Sequence, residues 1–418
     1  MRPHWRAPIT FFVLALSLSK LVLGRNDTRK GKLFSIFQIV NFPNEGCVGS
    51  SSRNGTCYTP DECTTRGGSP AGTCAQGFGV CCVFTLACGG TTSENCTYLV
   101  QAGISMPTAD QCTFTICKSS SNICRIKLDF TTFSIAGPTV GTASTLGNTN
   151  GGSIGDCTED SFSLTSPGNI GSPLICGVNT GQHMIVDSSD ICHRASFDFS
   201  GTTVSRQFDI KVTQYACGDE MGGPPGCLQY FTGNTGTFAS FNFPIGETAV
   251  TADVTHLSNQ CYTMCFRQEV GKCAICYNTV ILGAADMAID QGSFGLSISS
   301  AAIAIATLDT ACSEDYLQIP GSGSDVGDAD VDMFGPGTIP AILHERICGR
   351  FFGYETDGSG ATDNTESICS GRKPFRVVFK TDSDEVLGDG SDDAEMSEQA
   401  MAPAGIVGFY LNYALQDC

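Results

Sequence analysis

The chain has 418 residues, with 24 cysteines, 49 glycines and a formal net charge of −19 at pH 7. Its length predicts two or three domains, and its hydrophobic content of 41% is enough for an ordinary core. A protein this acidic is repelled by nucleic acid and by anionic membranes, so we exclude both as partners.

Residues 1–24 have the pattern of a signal peptide. Arg2 and Arg6 precede an apolar run over residues 11–18. The alternative is a retained N-terminal anchor, but Lys20 interrupts the apolar stretch, which is also short for a membrane span. We therefore predict a secreted, extracellular protein with no membrane span in its mature chain.

The even number of cysteines in a secreted chain predicts a disulfide framework. The 24 cysteines could form up to twelve bridges. Three Asn-X-Thr sequons fit the same secretory route, and they predict N-glycosylation at Asn26, Asn54 and Asn95.

A compact cysteine block follows the signal peptide, and we predict a small module over residues 33–82. Its cysteines are Cys47, Cys57, Cys63, Cys74 and the adjacent pair Cys81 and Cys82. So short a segment cannot bury enough apolar surface to fold without bridges. The spacing resembles the arthropod clip domain, which also has six cysteines and ends in an adjacent pair. The gap from Cys63 to Cys74 is shorter than in that family, and the alternative is an unrelated knotted microdomain.

After Cys82 the sequence alternates apolar and polar residues in short runs, as at residues 126–130, 208–212 and 377–380. This period of two is typical of half-buried antiparallel strands. No sustained helical period occurs after residue 24, so the predicted fold class is all-β.

Several cysteine phrases occur twice in the same order, which indicates a duplicated domain with different loop insertions. The paired phrases are QCTFTIC (111–117) before Cys124 and QCYTMC (260–265) before Cys276, then DCTEDSFSL (156–164) and ACSEDYLQI (311–319), then Cys176-Gly and Cys348-Gly. We predict one domain over residues 88–217 and its copy over residues 227–418, joined by the Gly- and Pro-rich segment 218–226.

The phrases CSEDYLQI, RICG, FRVVFKTDSD and GIVGFYLNY in the second copy resemble the CUB domain, and the first copy matches more weakly. The whole of 88–418 is similar to a group of secreted arthropod CUB proteins without an assigned activity. The resemblance implies two CUB-like antiparallel β-sandwich (jelly-roll) domains beside the disulfide-rich N-terminal module. It also implies bridges Cys157–Cys176 and Cys312–Cys348, and binding of an extracellular protein or glycan.

Many CUB domains bind calcium through a Glu, the Asp of the cysteine motif and an Asp in a later loop, since Ca²⁺ requires six to eight oxygen ligands. In the second copy the resemblance assigns these positions to Asp315 and Asp382, which we take as candidate Ca²⁺ ligands, while Thr307 stands where the Glu is expected. The first copy has Asp160 but Ser200 at the later position. The alternative is that Asp160 and Asp315 accept hydrogen bonds from loop backbone.

Other metal patterns are incomplete. Asp328, Asp330 and Asp332 open like an EF-hand loop, but Met333 and Ile339 stand where that loop needs Gly and Glu.

A second acidic run, over residues 389–395, is typical of a solvated insertion.

Four cysteines have spacings that also suit zinc: Cys261, Cys265, Cys273 and Cys276. In an oxidising compartment we expect disulfides among them instead. Three cysteines in the related cluster of the first copy require a bridge elsewhere, for which Cys88 and Cys96 are candidates.

No catalytic motif is complete. Residues 168–174 echo a serine-protease nucleophile loop, but Ile170 takes the place of the serine. The histidines after residue 24 fall in no triad order and are His183, His193, His256 and His344. We therefore predict a non-enzymatic recognition protein for an extracellular protein or glycan. The alternatives are a docking component of an extracellular protease cascade and a structural matrix or coat protein.

Overall fold

The computed structural model describes residues 40–105, 111–140, 153–200, 205–246, 250, 254–282, 293–296, 306–308, 312–323, 344–349, 352–353, 367–383 and 406–418. Within these limits Pro43–Cys418 forms one compact unit. The predicted signal peptide, the predicted glycosylation site Asn26 and both acidic runs (328–332 and 389–395) lie outside the described residues.

The regular secondary structure of the described chain consists almost entirely of strands, so the all-β prediction is confirmed. The strands are β1 (Gly46–Val48), β2 (Asn54–Tyr58), β3 (Ser69–Cys74), β4 (Gly79–Leu86), β5 (Thr91–Thr92), β6 (Thr97–Ser105), β7 (Cys112–Ile116), β8 (Ile123–Ser134), β9 (Asp160–Leu164), β10 (His183–Asp187), β11 (His193–Phe199), β12 (Ser205–Ala216), β13 (Gln229–Phe231), β14 (Thr235–Ala239), β15 (Cys261–Phe266), β16 (Lys272–Thr279), β17 (Phe294–Gly295), β18 (Ala306–Leu308), β19 (Tyr316–Gly323), β20 (His344–Gly349), β21 (Ile368–Ser370), β22 (Arg376–Lys380) and β23 (Gly408–Asp417). One short helix, α1 (Pro60–Thr65), lies in the N-terminal module. No helix in the described chain is long and apolar enough to cross a membrane.

The N-terminal module is a small sheet of β1, β2, β3 and β4 beside α1. The helix begins where Thr59 caps it, because the Thr59 hydroxyl accepts the Glu62 N–H at 3.2 Å and Pro60 stands in the first turn. Strand β4 continues beyond the module and pairs in parallel with β6. The module is therefore attached to the first β domain through a shared strand.

The first half of the chain packs two sheets face to face. The larger follows the order β1-β2-β4-β6-β12-β8-β10, and the smaller the order β5-β7-β11-β9. Alternating residues of facing strands fill the space between them: Phe197 of β11 stacks on Phe208 of β12, with ring centroids 4.1 Å apart. The period of two in the sequence thus becomes the inner face of a sandwich.

The second half forms an 11-stranded sheet with the main order β13-β15-β22-β19-β21-β16-β23-β14. Its buried rings belong to the same hydrophobic cluster as those of the first half. Phe130 and Phe241, one from each half, have ring centroids 6.5 Å apart. The two halves therefore share one continuous core.

Eleven disulfides stabilise these sheets. The module contains Cys47–Cys81, Cys57–Cys74 and Cys63–Cys82; the first half contains Cys88–Cys112, Cys117–Cys192, Cys124–Cys217 and Cys157–Cys176; the second half contains Cys227–Cys265, Cys273–Cys418, Cys276–Cys369 and Cys312–Cys348.

The bridges favour disulfides over zinc, as expected, and they change the alignment of the repeat. The zinc alternative does not fit, because Cys265, Cys273 and Cys276 belong to three separate bridges and Cys261 is a free thiol. The alignment of the two copies also changes. Cys124 is bridged to Cys217 at the end of the first half, and the cysteine that is bridged to Cys418 at the end of the second half is Cys273. Cys124 therefore corresponds to Cys273, and not to Cys276 as the sequence phrases suggested.

Candidate functional site

The repeated Glu-Asp phrase buries an aspartate at the start of a strand in each half, Asp160 at β9 and Asp315 just before β19. Asp160 is 0% exposed, and its two carboxylate oxygens each accept one hydrogen bond of 2.6 Å from the guanidinium of Arg206. The Ala136 N–H donates a third bond to Asp160 Oδ2 at 3.0 Å. Such a bidentate, fully buried pair neutralises the carboxylate inside the protein.

Asp315 has different neighbours. The Asp382 N–H donates to its Oδ1 at 2.8 Å, and its Oδ2 lies 3.6 Å from Nε2 of the buried His256. Burial lowers the pKa of His256 to about 4, so the imidazole is neutral near pH 7. The structure thus brings the two predicted calcium residues together, with the buried carboxylate of Asp315 turned toward a hydrogen-bond donor and a histidine.

This arrangement does not complete a calcium site within the described residues. They contain no group of three or more His, Cys, Asp or Glu side chains placed to hold a metal ion. A calcium shell needs six to eight oxygen atoms, whereas Asp315 is only 3% exposed and directs both of its oxygens at protein groups.

Two predicted glycosylation sites are described, and they differ. Asn54 is exposed at the start of β2. The amide oxygen of Asn95 accepts the N–H groups of Cys96 and Gln214, at 2.9 and 2.8 Å, and Thr97 of the same sequon is 1% exposed. The Asn95 side chain therefore connects the start of β6 to β12.

Cys96 and Cys261 are the cysteines without a bridge. Cys96 is part-buried, and this burial raises the pKa of its thiol. Cys261 is exposed at the start of β15. The cysteine count alone allowed twelve bridges, and it could not reveal that these two lie in different parts of the fold.

Two of the histidines bond backbone groups. His193 accepts the Ser189 N–H at its Nε2, 3.0 Å away, and its Nδ1 lies 2.9 Å from the Thr165 carbonyl oxygen. His183 accepts the Tyr230 N–H at its Nε2, 2.9 Å away. Burial and nearby Lys127 lower the pKa of His183 to about 3. Both side chains therefore hold structure together.

The contact of His183 with Tyr230 belongs to a junction that the sequence analysis missed. The edge strand β10 of the first half meets the segment that leads into β13 of the second, where the Ile185 N–H donates to the Leu228 carbonyl oxygen at 2.6 Å. The side chain of Gln229 donates to the His183 carbonyl oxygen at 3.2 Å. Backbone and side-chain bonds together close the edges of both sheets.

A second row of contacts extends the junction. The Gln182 side chain donates to the Ser240 carbonyl oxygen at 2.9 Å. The Asn242 N–H donates to the Asn179 side chain at 2.8 Å, and the Gln260 side chain donates to the Leu174 carbonyl oxygen at 3.0 Å. The amide side chains of this row are scattered along the sequence and belong to no motif, so the sequence analysis gave no signal for it.

Comparisons with known proteins agree with the β architecture. A family model for the animal CUB domain matches residues 224–416, slightly less than half of the chain. The match supports a protein with a CUB-type domain in its second half. The chain matches none of the curated proteins.

Among solved structures, the CUB1-EGF-CUB2 domains of rat MASP-1 align with 79% of this chain and 99% of their own, at 16% identity and a TM-score of 0.22. The corresponding region of human MASP-1/3 aligns with 76% and 98%, at 15% identity and a TM-score of 0.20. The MASP-1 CUB2 domain bound to Ca²⁺ aligns with 30% of this chain and 98% of its own, at 11% identity and a TM-score of 0.20. TM-scores this low carry no argument about function.

Proposed function

We propose that this chain is a secreted, non-enzymatic recognition protein that binds an extracellular protein or glycan partner through its tandem CUB-like domains. The observation that carries the proposal is the junction between the halves, where hydrogen bonds and a shared core join both sheets into one body. Eleven disulfides suit the oxidising route of a secreted protein.

The junction favours recognition because a preformed surface loses little conformational freedom on binding. Tandem modules joined by a loose linker would have to be ordered by the partner first. Here the linker itself is held, because the guanidinium of Arg125 donates to the carbonyl oxygens of Gly222 and Cys227 at 3.1 and 2.9 Å. A partner that spans both halves would therefore meet a fixed geometry.

The histidines support a non-enzymatic role. His183 and His193 bond backbone groups, and His256 lies fully buried beside Asp315. A general base needs access to a substrate proton, and these three side chains serve the packing of the sheets instead. Calcium at Asp315 and Asp382 stays a prediction, which recognition as proposed does not require.

The test is capture of a partner from extracellular fluid on the immobilised full-length secreted chain, followed by a binding isotherm with the purified partner. A chain reduced and alkylated at its cysteines is the control. Saturable binding that needs the folded chain would support the proposal. Equal capture by the unfolded chain, or self-association as the sole interaction in sedimentation, would contradict it and favour a matrix role.

A further inference from the structure

A cleft of about 730 Å³ opens where the segment between the halves approaches the turn that follows β15. This is the size of a site that encloses a small ligand or a few side chains of a partner. One wall is the segment 218–225 and the other is the turn 267–270, with Tyr230 and Arg125 between them.

Arg125 forms the floor and fixes the first wall. It is 5% exposed, its Nε and Nη2 donate to the carbonyl oxygens of Gly222 and Cys227, and its Nη1 pairs with Asp187. The charge of Arg125 is therefore satisfied within the protein, and its role in the cleft is to position the wall.

The next glycine packs the same wall against an aromatic ring. Gly223 has φ = 68°, and a Cβ at this position would lie 2.7 Å from Cγ of Tyr230. Only glycine permits both this backbone conformation and this close approach. The backbone of the wall therefore rests on the Tyr230 ring, part of which remains exposed toward the cleft.

The second wall is held by an ion pair. Arg267 Nε lies 2.8 Å from Glu269 Oε1, and the same oxygen accepts the Gly233 N–H at 2.9 Å. Val270 projects fully exposed at the rim of this wall. The positive charge of Arg267 is thereby matched by a carboxylate of its own wall.

The remaining charges of the cleft are negative. Asp219 and Glu220 are exposed on the first wall, and the described chain places no cationic side chain in an ion pair with either. Burial raises the pKa of Tyr230, the nearby guanidinium of Arg267 lowers it, and the carboxylates of Glu269 and Glu220 raise it further. Pro224 and Pro225 supply apolar surface beside these carboxylates.

We propose that this cleft binds a lysine or arginine side chain of the protein partner. The apolar stem of such a residue would pack on Tyr230 and the prolines, and its charged end would pair with Glu220 and Asp219. An aromatic face beside carboxylates suits a cation, and the net charge of −19 favours a basic partner. The inference rests on the proposed function, because it names the partner chemistry that the recognition protein would use at its junction.

The test uses the full-length secreted chain and an acetylated, amidated nine-residue peptide that repeats Gly-Ser-Lys. The comparison peptide replaces lysine with norleucine, which keeps the apolar stem and removes the charge. Binding is measured by calorimetry at physiological ionic strength, and a zero-length carbodiimide then locates the cross-linked carboxylates. We expect saturable binding of the lysine peptide alone, with cross-links at residues 219–220.

The variant Asp219→Asn with Glu220→Gln removes both charges but keeps a side-chain oxygen that can accept the Met221 N–H. We expect it to bind the lysine peptide about tenfold more weakly, since both carboxylate charges that would pair with the lysine are lost. The matched control, Glu45→Gln with Glu159→Gln, removes two exposed charges elsewhere and should bind as the unmodified chain does.

Equal weakening by both double variants would show non-specific attraction to an acidic surface and would overturn the cleft proposal. Failure of the unmodified chain to bind the lysine peptide would also overturn it. Neither result would contradict the proposed function, which is tested separately by capture of a partner on the folded chain and on the reduced and alkylated chain.

Discussion

The two halves of the molecule bury the same aspartate of a repeated phrase but surround it with different partners. In the first half Asp160 pairs with a permanent cation, Arg206, at 2.6 Å. In the second half Asp315 faces a titratable imidazole at 3.6 Å and a backbone N–H. The first half ends at Cys217 and the second at Cys418. At the same distance before these cysteines the first half has Arg206, whereas the second half has Val407. The second half therefore lacks the arginine that pairs with the aspartate in the first.

A buried ion pair and a buried hydrogen-bonded carboxylate respond differently to the same substitution. Removal of one member of the ion pair leaves the other charge buried and unpaired, and its desolvation then lowers the stability of the folded protein. The imidazole of His256 beside Asp315 is neutral near pH 7, so removal of the Asp315 charge does not leave His256 as an unpaired buried charge. The two halves therefore bury a carboxylate at the same place in the repeated phrase, while the chemistry around it differs.

The largest expected effect is that of Asp160→Asn, which should lower the free energy of unfolding by about 3 to 5 kcal/mol. The reason is that the guanidinium of Arg206, 0% exposed, loses its counter-charge. Urea unfolding with the disulfides intact measures the change. The double variant Asp160→Asn with Arg206→Met should recover part of the loss, and the exposed Arg194→Met serves as control. A loss below about 1 kcal/mol would contradict the pair as we describe it.

The next largest effect is a pH dependence of the free energy of unfolding, caused by His183 at the junction. Burial and the nearby Lys127 hold the folded-state pKa of His183 at about 3, below the 6.5 of an unperturbed histidine. From pH 6.5 down to about 3 the unfolded chain therefore binds a proton that the folded chain does not. Stability from this group is complete above pH 6.5 and decreases as the pH falls.

We expect a loss of about 1 to 2 kcal/mol between pH 7 and pH 5. His183→Gln should lack this part of the pH dependence, while other titrating groups still contribute in both chains. Urea unfolding of both proteins at the two pH values measures the difference. Parallel curves for the two proteins would show that His183 does not titrate in this way.

The sequence predicted the architecture well because its signals are local. Alternation in residues such as 208–212 specifies which side of a strand is buried, and the all-β fold class follows from it. The junction gave no such signal. Hydrogen bonds such as that from Tyr230 to His183 depend on where two sheet edges meet, and an edge contact between distant residues has no sequence period.

The site was predicted only in part for a similar reason. The motif and the CUB resemblance pointed to Asp160, Asp315 and Asp382, and the structure brings the last two into contact. The partners of the first two were missed, because Arg206 and His256 are distant in sequence and occur in no motif. Which basic residue reaches a buried carboxylate depends on the packing of the whole sandwich.

A smaller effect is expected for Asp315→Asn, the same change as at Asp160 but in the second half. It should lower the free energy of unfolding by about 1 kcal/mol, since the amide oxygen can still accept the Asp382 N–H and only the charge is lost. Urea unfolding measured side by side with Asp160→Asn gives the comparison directly. Equal losses at the two positions would mean that the two carboxylates are neutralised alike, contrary to the structure.

The smallest effect without added metal is expected for Asp382→Ala, because residue 382 bonds Asp315 through a backbone N–H that the substitution keeps. We expect a change in unfolding free energy within about 0.5 kcal/mol. Calcium titration of the full chain by calorimetry then tests the predicted ligands. Saturable binding that Asp382→Ala abolishes, and that the exposed control Asp190→Asn retains, would mean that oxygens beyond the described residues complete the shell. Absence of binding at millimolar calcium would mean that Asp315 and Asp382 have a structural role in the second half, as Asp160 paired with Arg206 has in the first.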